Sequence, residues 1–389
     1  MRIISYIPAT PQVCVESLVV IWYIWKRSRI LNEEPEMSNG SSTLPANQRF
    51  GDSFAGRRVV TIGGGSGTFS FLSHLKKYPV NISAIVTMSD SGGSSRRLMD
   101  EFRRQLPLGD LRMSLVALAR NGALWREVFM HRFQNSEEAP DGRQQEVSGG
   151  VSGHSLGNLI LKGLQDINNG DLLLAIEDAQ ELLNTAGRVI PVTLEQTTIC
   201  ADLEDGTTIC GETDIDTRGK KELGPLSPIK ELHLIPANAP ACSLAIRAVR
   251  RADTIIIGPG DLYTSLIPNL LVKDLARAVR ESDAEKIYIC NLMTKHGETD
   301  NYRASDFVAE IHRYLGGRVD RVLVNDGSFP QNVLSEYAKQ ISQPVAVDRA
   351  RLSRLVPNVT IERLNLEDDS LARHDPERLV RAIFSSRDM

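Results

Sequence analysis

At 389 residues, the chain has room for about two average domains or one large α/β domain. Its 41% hydrophobic content can fill a substantial core, and 24% charged residues is usual for a soluble protein. A formal net charge of −4 supplies no basic footprint, so nucleic acid is not an expected partner, whereas a small anion held by local backbone dipoles remains open. In chain order, residues 1–56 come first and stand apart as an N-terminal extension. Val13 to Trp25 is apolar and is followed by Lys26, Arg27 and Arg29, like a short anchor with a positive flank. The run is too short for about 30 Å of hydrocarbon and is interrupted by Glu16, so stable membrane insertion is not expected. Met37 opens a plausible alternative start, which leaves a disordered tail, an anchor or a misassigned start as readings of this extension.

The main domain is expected over residues 57–389, as an α/β Rossmann-like three-layer sandwich with a mostly parallel sheet. Val59 to Ile62 is a short β run, closed by Gly63-Gly64-Gly65-Ser66-Gly67 and followed by Phe69, Phe71, Leu72 and Leu75 at helical spacing. Ile82 to Met88 reads as a second buried strand. Leu111 to Ala119 and Leu156 to Ile167 read as helices, the latter continuing a helical pattern to about Leu183. The period then shortens. Val192 to Leu194, Thr197 to Leu203 and Thr207 to Gly211 read as strands, with Asp205-Gly206 as a hairpin turn, inside a β-rich insertion at about 190–235. Thr254 to Ile257, Ile287 to Cys290 and Val319 to Val324 resume the alternation with helices, as a sheet covered on both faces requires. Cys14, Cys200, Cys210, Cys242 and Cys290 show no C-x-x-C and no zinc-finger spacing. They are expected to be buried free thiols in the reducing cytoplasm.

Several loops carry candidate chemistry. Gly63, Gly64, Gly65, Ser66, Gly67 and Thr68 join a strand to a helix, whose first amides are unpaired and positive. Glycines let such a backbone approach a phosphate, although a tight structural turn would use the same residues. The loop lacks the lysine of a Walker A motif, and Thr68 stands at the third glycine of G-x-G-x-x-G. Asp90 ends the next strand where a ribose-binding acid would sit, or where a helix cap would. Gly92, Gly93, Ser94 and Ser95 after it suggest a second phosphate or sugar cradle, with Asp90 as the candidate magnesium ligand; no other cofactor is implied. Asp110 reads first as a helix N-cap and Arg112 as a phosphate partner or a solvated cation. His154 could hold a ligand phosphate or move a proton, and with Asp90 it is a candidate catalytic group. Gly258, Gly260, Asp261 and Tyr263 follow a buried strand, as ligand loops do in open sheets. His374-Asp375-Pro376 reads as a helix start, with Asp375 the cap and Pro376 the first helical residue.

Together these stretches resemble the YvcK/CofD-like family, most closely its YvcK branch. The matching segments begin with VVTIGGGSGTFSFLSHLKKYPVNISAIVTMSDSGGSS, LPLGDLRMSLVALA and SGHSLGNLILKGL. They continue through IPVTLEQTTICADLEDGTTICGETDI, IIIGPGDLYTSLIPNLLV and ICNLMTKHGETDNY to RHDPERL, covering about Val59 to Leu379. The resemblance implies a ligand cleft at the strand ends. It also implies a UDP-N-acetylglucosamine-type nucleotide sugar as ligand and a regulatory role in carbon metabolism and cell shape. The CofD branch instead implies a magnesium-assisted transferase that moves a 2-phospholactyl-type group from a nucleotide donor to a deazaflavin. Arg97, His154 and Asn158 match the pattern as they stand and join the candidate ligand residues. Ser91 departs from a usual second Asp or Asn, Arg96 from Gly, Met113 from Asn and Asp261 from Ser. Losing a carboxylate at Ser91 weakens a metal site. Neither catalysis nor homo-oligomerisation is decided by these residues.

Overall fold

The structure, a computed structural model, describes residues 54–89, 108–133, 136–138, 144–146, 153–221, 224–367 and 370–385, with only the backbone for 136–138 and 144–146. Asp90, Gly92, Gly93, Ser94, Ser95 and Arg97 therefore lie outside the described residues, as does the chain before Phe54.

β1 (Arg58–Gly63) is buried throughout except at Arg58, and β2 (Asn81–Val86) pairs with it in parallel, Ile62 opposite Ile85. A short antiparallel pair follows, β3 (Ser136–Glu138) with β4 (Gln144–Glu146). β5 (Gly187–Pro191) then returns to the main sheet beside β2. β6 (Thr198–Leu203), β7 (Thr208–Cys210) and β8 (Ile229–Ile235) form a separate antiparallel sheet in the order β7-β6-β8. β9 (Thr254–Ile257), β10 (Glu285–Ile289), β11 (Arg321–Asn325) and β12 (Asn358–Glu362) complete a seven-stranded sheet ordered β12-β11-β10-β9-β1-β2-β5. Every neighbouring pair in it is parallel. The continuous apolar runs of β1 and β9 follow from burial on both faces.

This order places the site. The chain builds outward from β1 through β2 to β5, then returns to lay β9 against the other edge of β1 and builds the opposite way. The connections that leave β1 and β9 build the sheet in opposite directions, so a crevice opens at the carboxyl ends of these two strands. The helix Gly65–Leu75 anchors one wall by burying Phe71, Leu72 and Leu75 against the sheet. Each such side chain contributes roughly 1.5–3 kcal/mol.

The α/β class, the parallel sheet and the smaller β-rich sheet agree with expectation; several details do not. Val192 to Leu194 is not a strand: the β5 strand lies just before it and belongs to the main sheet. The helical stretch from Leu156 breaks at Asn169 and Gly170, both at positive φ, giving the helices Leu156–Ile167 and Leu172–Leu182. β8 and the half-buried edge strand β12 were not anticipated. Phe54, just before the expected start of the main domain, is 2% exposed and stacks on Phe384 with ring centroids 4.1 Å apart. Cys200 and Cys210, expected as free thiols, form a disulfide across directly paired positions of β6 and β7. Cys242 and Cys290 are free and buried, as expected. Among the described residues no helix is long and apolar enough to cross a membrane.

Candidate functional site

The wall from β1 is a helix start built by glycine. Gly64 is the N-cap of Gly65–Leu75, without any side-chain cap, and Gly65 adopts φ +71°. The amides of the first turn have no carbonyl four residues back to bond. Asp110 takes one of them, its Oδ1 accepting from the Gly65 amide at 2.8 Å. This corrects the reading of Asp110 as a cap for its own helix. That helix, Gly109–Leu118, has Leu108 as N-cap, and Asp110 in its first turn reaches across to the glycine loop. The Asp110 charge offsets part of the positive helix end, so an incoming phosphate would also need cations from elsewhere in the cleft.

The facing wall leaves β9. Gly258 has φ +94°, and the Gly258–Pro259 peptide is cis. A β-carbon on Gly67 would lie 3.3 Å from the Pro259 carbonyl, and one on Gly260 would lie 3.2 Å from the Gly64 carbonyl. The two loops therefore pack backbone to backbone, which is the physical use of glycine on both sides. Thr68 clamps them, its hydroxyl donating to the Pro259 carbonyl at 2.8 Å. After Asp261 the chain makes a π-helical turn, Leu262–Leu266, an irregularity frequent at functional sites. Tyr263, 1% exposed, faces inward from this turn. Its hydroxyl bonds Tyr302 at 2.7 Å and Glu310 at 3.3 Å, and burial raises its pKa.

Between the walls lies a cavity of about 660 Å³. Gly64, Gly65, Ser66, Gly67, Gly260 and Asp261 line it, so the structure brings together the centres of both predicted loops. Gly63, Thr68, Gly258 and Tyr263 stand behind this lining and shape it. Arg112, His154 and Asn158 are at most 6% exposed and do not line the cavity. Asn158 lies in the first turn of a helix capped by Ser155, and Gly157 packs against Phe129, as close helix packing requires. Asp375 is the N-cap expected of it, accepting from Glu377 and Arg378 at 2.9 and 3.2 Å, with Pro376 in the first turn.

The strongest electrostatic feature was not singled out from the sequence. Lys295, in the loop after β10, forms ion pairs with Asp216, with Asp261 at 3.0 Å and with Glu298 at 2.8 Å. Burial opposes its charge, but Glu298, Asp261 and Asp216 outweigh that and raise its pKa. The side chain of Glu298 is 1% exposed, and burial pushes its pKa up to about 7, with Lys295 opposing the rise. His374 lines the same cavity and bonds the Cys290 carbonyl at 3.2 Å; burial lowers its pKa to about 4, so it is neutral near pH 7. Arg126, Lys220 and Arg373 add cationic side chains to the lining. A usable signal existed, since Lys295 and Glu298 sit on a loop leaving a buried strand at the same sheet edge as the glycine loops.

The comparisons with known proteins agree with this architecture. Residues 59–364 match the family model described as 2-phospho-L-lactate transferase CofD. A protein of Halalkalibacterium halodurans named gluconeogenesis factor is 40% identical over 332 residues, which is 85% of this chain and 97% of that one. The gluconeogenesis factor of Bacillus subtilis is 36% identical over 83% of this chain and 96% of its own length. A crystal structure of a UPF0052-family protein from Bacillus halodurans superposes with a TM-score of 0.76 at 39% identity, covering 85% of this chain and 99% of that one. Motif order, switch-point cleft and full-length similarity coincide: the chain belongs to the CofD/YvcK family.

Proposed function

We propose that the cleft between β1 and β9 binds a nucleotide sugar of the UDP-N-acetylglucosamine type, and that the protein acts in the cytoplasm as a regulator of carbon metabolism and cell shape. The observation that carries this reading is the meeting of two glycine loops at the switch point. Gly64–Gly67 and Gly260–Asp261 line one cavity of about 660 Å³, within the range for small-molecule ligands. The amides of Ser66 and Gly67 are positioned for a diphosphate, with Lys220, Lys295 and Arg373 as the cations that compensate Asp110. The relatives named gluconeogenesis factor support the regulatory part.

The match to the transferase family supports a second reading, transfer of a phosphorus-linked group from a nucleotide donor to a deazaflavin with magnesium. Among the described residues the donor set does not fit that metal. The carboxylates of Asp216, Asp261 and Glu298 are gathered around the Lys295 ammonium, and no group of three or more His, Cys, Asp or Glu side chains that could hold a metal ion occurs among the described residues. Asp90 remains the candidate from sequence. Titration of the wild type and Asp90→Asn with UDP-N-acetylglucosamine, each with magnesium and with chelator, separates the readings. The binding reading expects a roughly ten- to hundredfold loss in the variant, from one charge-assisted hydrogen bond, and little dependence on magnesium. A magnesium requirement that disappears in the variant, together with turnover onto a deazaflavin, would establish the transferase instead.

A further inference from the structure

Glu298 is a carboxylate at the foot of an anion-binding cleft. Among the described residues, its one ion pair is with the ammonium of Lys295, at 2.8 Å. Its own loop also carries Lys295, His296 and Asp300, the last two paired with each other at 2.9 Å. The helix Glu212–Lys221 brings Asp216, Arg218 and Lys220, and the loop after β9 brings Asp261. Lys295 is 26% exposed and lines the cavity beside Gly260 and Asp261. It is thus the cation that a ligand diphosphate would meet next to the glycine loops. Yet three carboxylates hold it, and they would repel the same diphosphate.

We propose that Lys295 is a phosphate-binding residue of the cleft, held between Asp216, Asp261 and Glu298 in the free protein, and that ligand binding protonates Glu298. The inference rests on the nucleotide-sugar reading of the cleft. When the ammonium turns to a phosphate oxygen, Glu298 loses that ion pair while more negative charge arrives. Both changes favour the neutral acid. The proton comes from solvent and goes to the Glu298 carboxylate; no other bond is made or broken. The step is favoured because burial already raises the pKa of this group in the free protein. Asp216 and Asp261 are more exposed than Glu298, with side chains at 25% and 48% against 1%. The sign follows directly. The bound form carries an extra proton, so affinity is greatest below pH 7 and falls as pH rises above it. His374 stays neutral across this window and contributes nothing to the slope.

The test is calorimetric titration of the full chain with UDP-N-acetylglucosamine and, separately, with ADP-ribose. The diphosphate of each carries no proton that titrates near neutrality. Comparing two buffers of different ionisation enthalpy gives the protons taken up. About half a proton at pH 7, rising towards one at pH 8, is expected, with affinity falling about tenfold from pH 7 to pH 8.5. E298Q should bind with pH-independent affinity and no proton uptake, and K295M should bind weakly at every pH. Tight binding by the wild type with no proton exchange would overturn this inference and leave the nucleotide-sugar reading standing. Proton-linked binding of ADP-ribose without binding of the UDP-sugar would do the reverse. Failure of both ligands to bind would overturn both.

Discussion

Gly65→Val is expected to abolish nucleotide-sugar binding, with a loss of at least a hundredfold in affinity, while the protein remains folded. Gly65 sits at φ +71°, a region closed to a β-branched residue without strain. A β-carbon there would also stand 3.5 Å from the Ser265 hydroxyl on the opposite wall, so the rest of a valine side chain would enter the cleft. The backbone would turn away to relieve the strain. That breaks the hydrogen bond to Asp110 and moves the Ser66 and Gly67 amides off a phosphate. Strain of this kind is of order 1–3 kcal/mol, tolerable for a domain with this core but decisive for amides that must lie within hydrogen-bond reach. Calorimetry with UDP-N-acetylglucosamine measures the effect. Unchanged affinity would mean that the loop is a structural turn and no more.

The largest loss of stability is expected from Arg321→Met. Arg321 is the first residue of β11 and is 2% exposed. Its Nε lies 3.2 Å from Glu285, and its terminal nitrogens donate to the carbonyls of Ala382 and Ile383 at 3.2 and 2.5 Å. It thus ties two strands to the last turn of the helix Pro376–Phe384, where a helix leaves carbonyls without internal partners. Methionine fills similar volume but takes the cation from Glu285 and the donors from both carbonyls. Breaking one side of a buried ion pair costs about 3–5 kcal/mol. Denaturant titration should show a loss of that size. The amino ends of the strands lie away from the cleft, so the folded fraction should bind ligand normally. A loss under about 1 kcal/mol would contradict this account of the C-terminal helix.

What the sequence made legible was local. A buried strand, a glycine run and an amphipathic helix occur within 17 residues, Val59 to Leu75, so the phosphate loop and its direction could be read from neighbouring residues alone. The Asp375 cap depends on the two residues that follow it. Asp110 shows where such reading stops. Its chemistry as a cap was right, but the helix it serves begins 45 residues away. The Lys295 cluster is harder still, because Asp216, Asp261 and Glu298 converge from three separate segments and only the sheet order brings them together. Asp261 had been noted as an unusual acid, and Lys295 is the partner that accounts for it. The Cys200–Cys210 pair was within reach, since both lie five or so residues from the Asp205-Gly206 turn. β12 escaped notice because an edge strand with an exposed side needs no apolar run.

A crystal structure of the complex with UDP-N-acetylglucosamine tests the central claim most directly. The account predicts the diphosphate at the crevice between β1 and β9, its oxygens about 3 Å from the Ser66 and Gly67 amides, with Lys295 turned towards them. Density for the nucleotide elsewhere on the protein, with the glycine loops untouched, would contradict it.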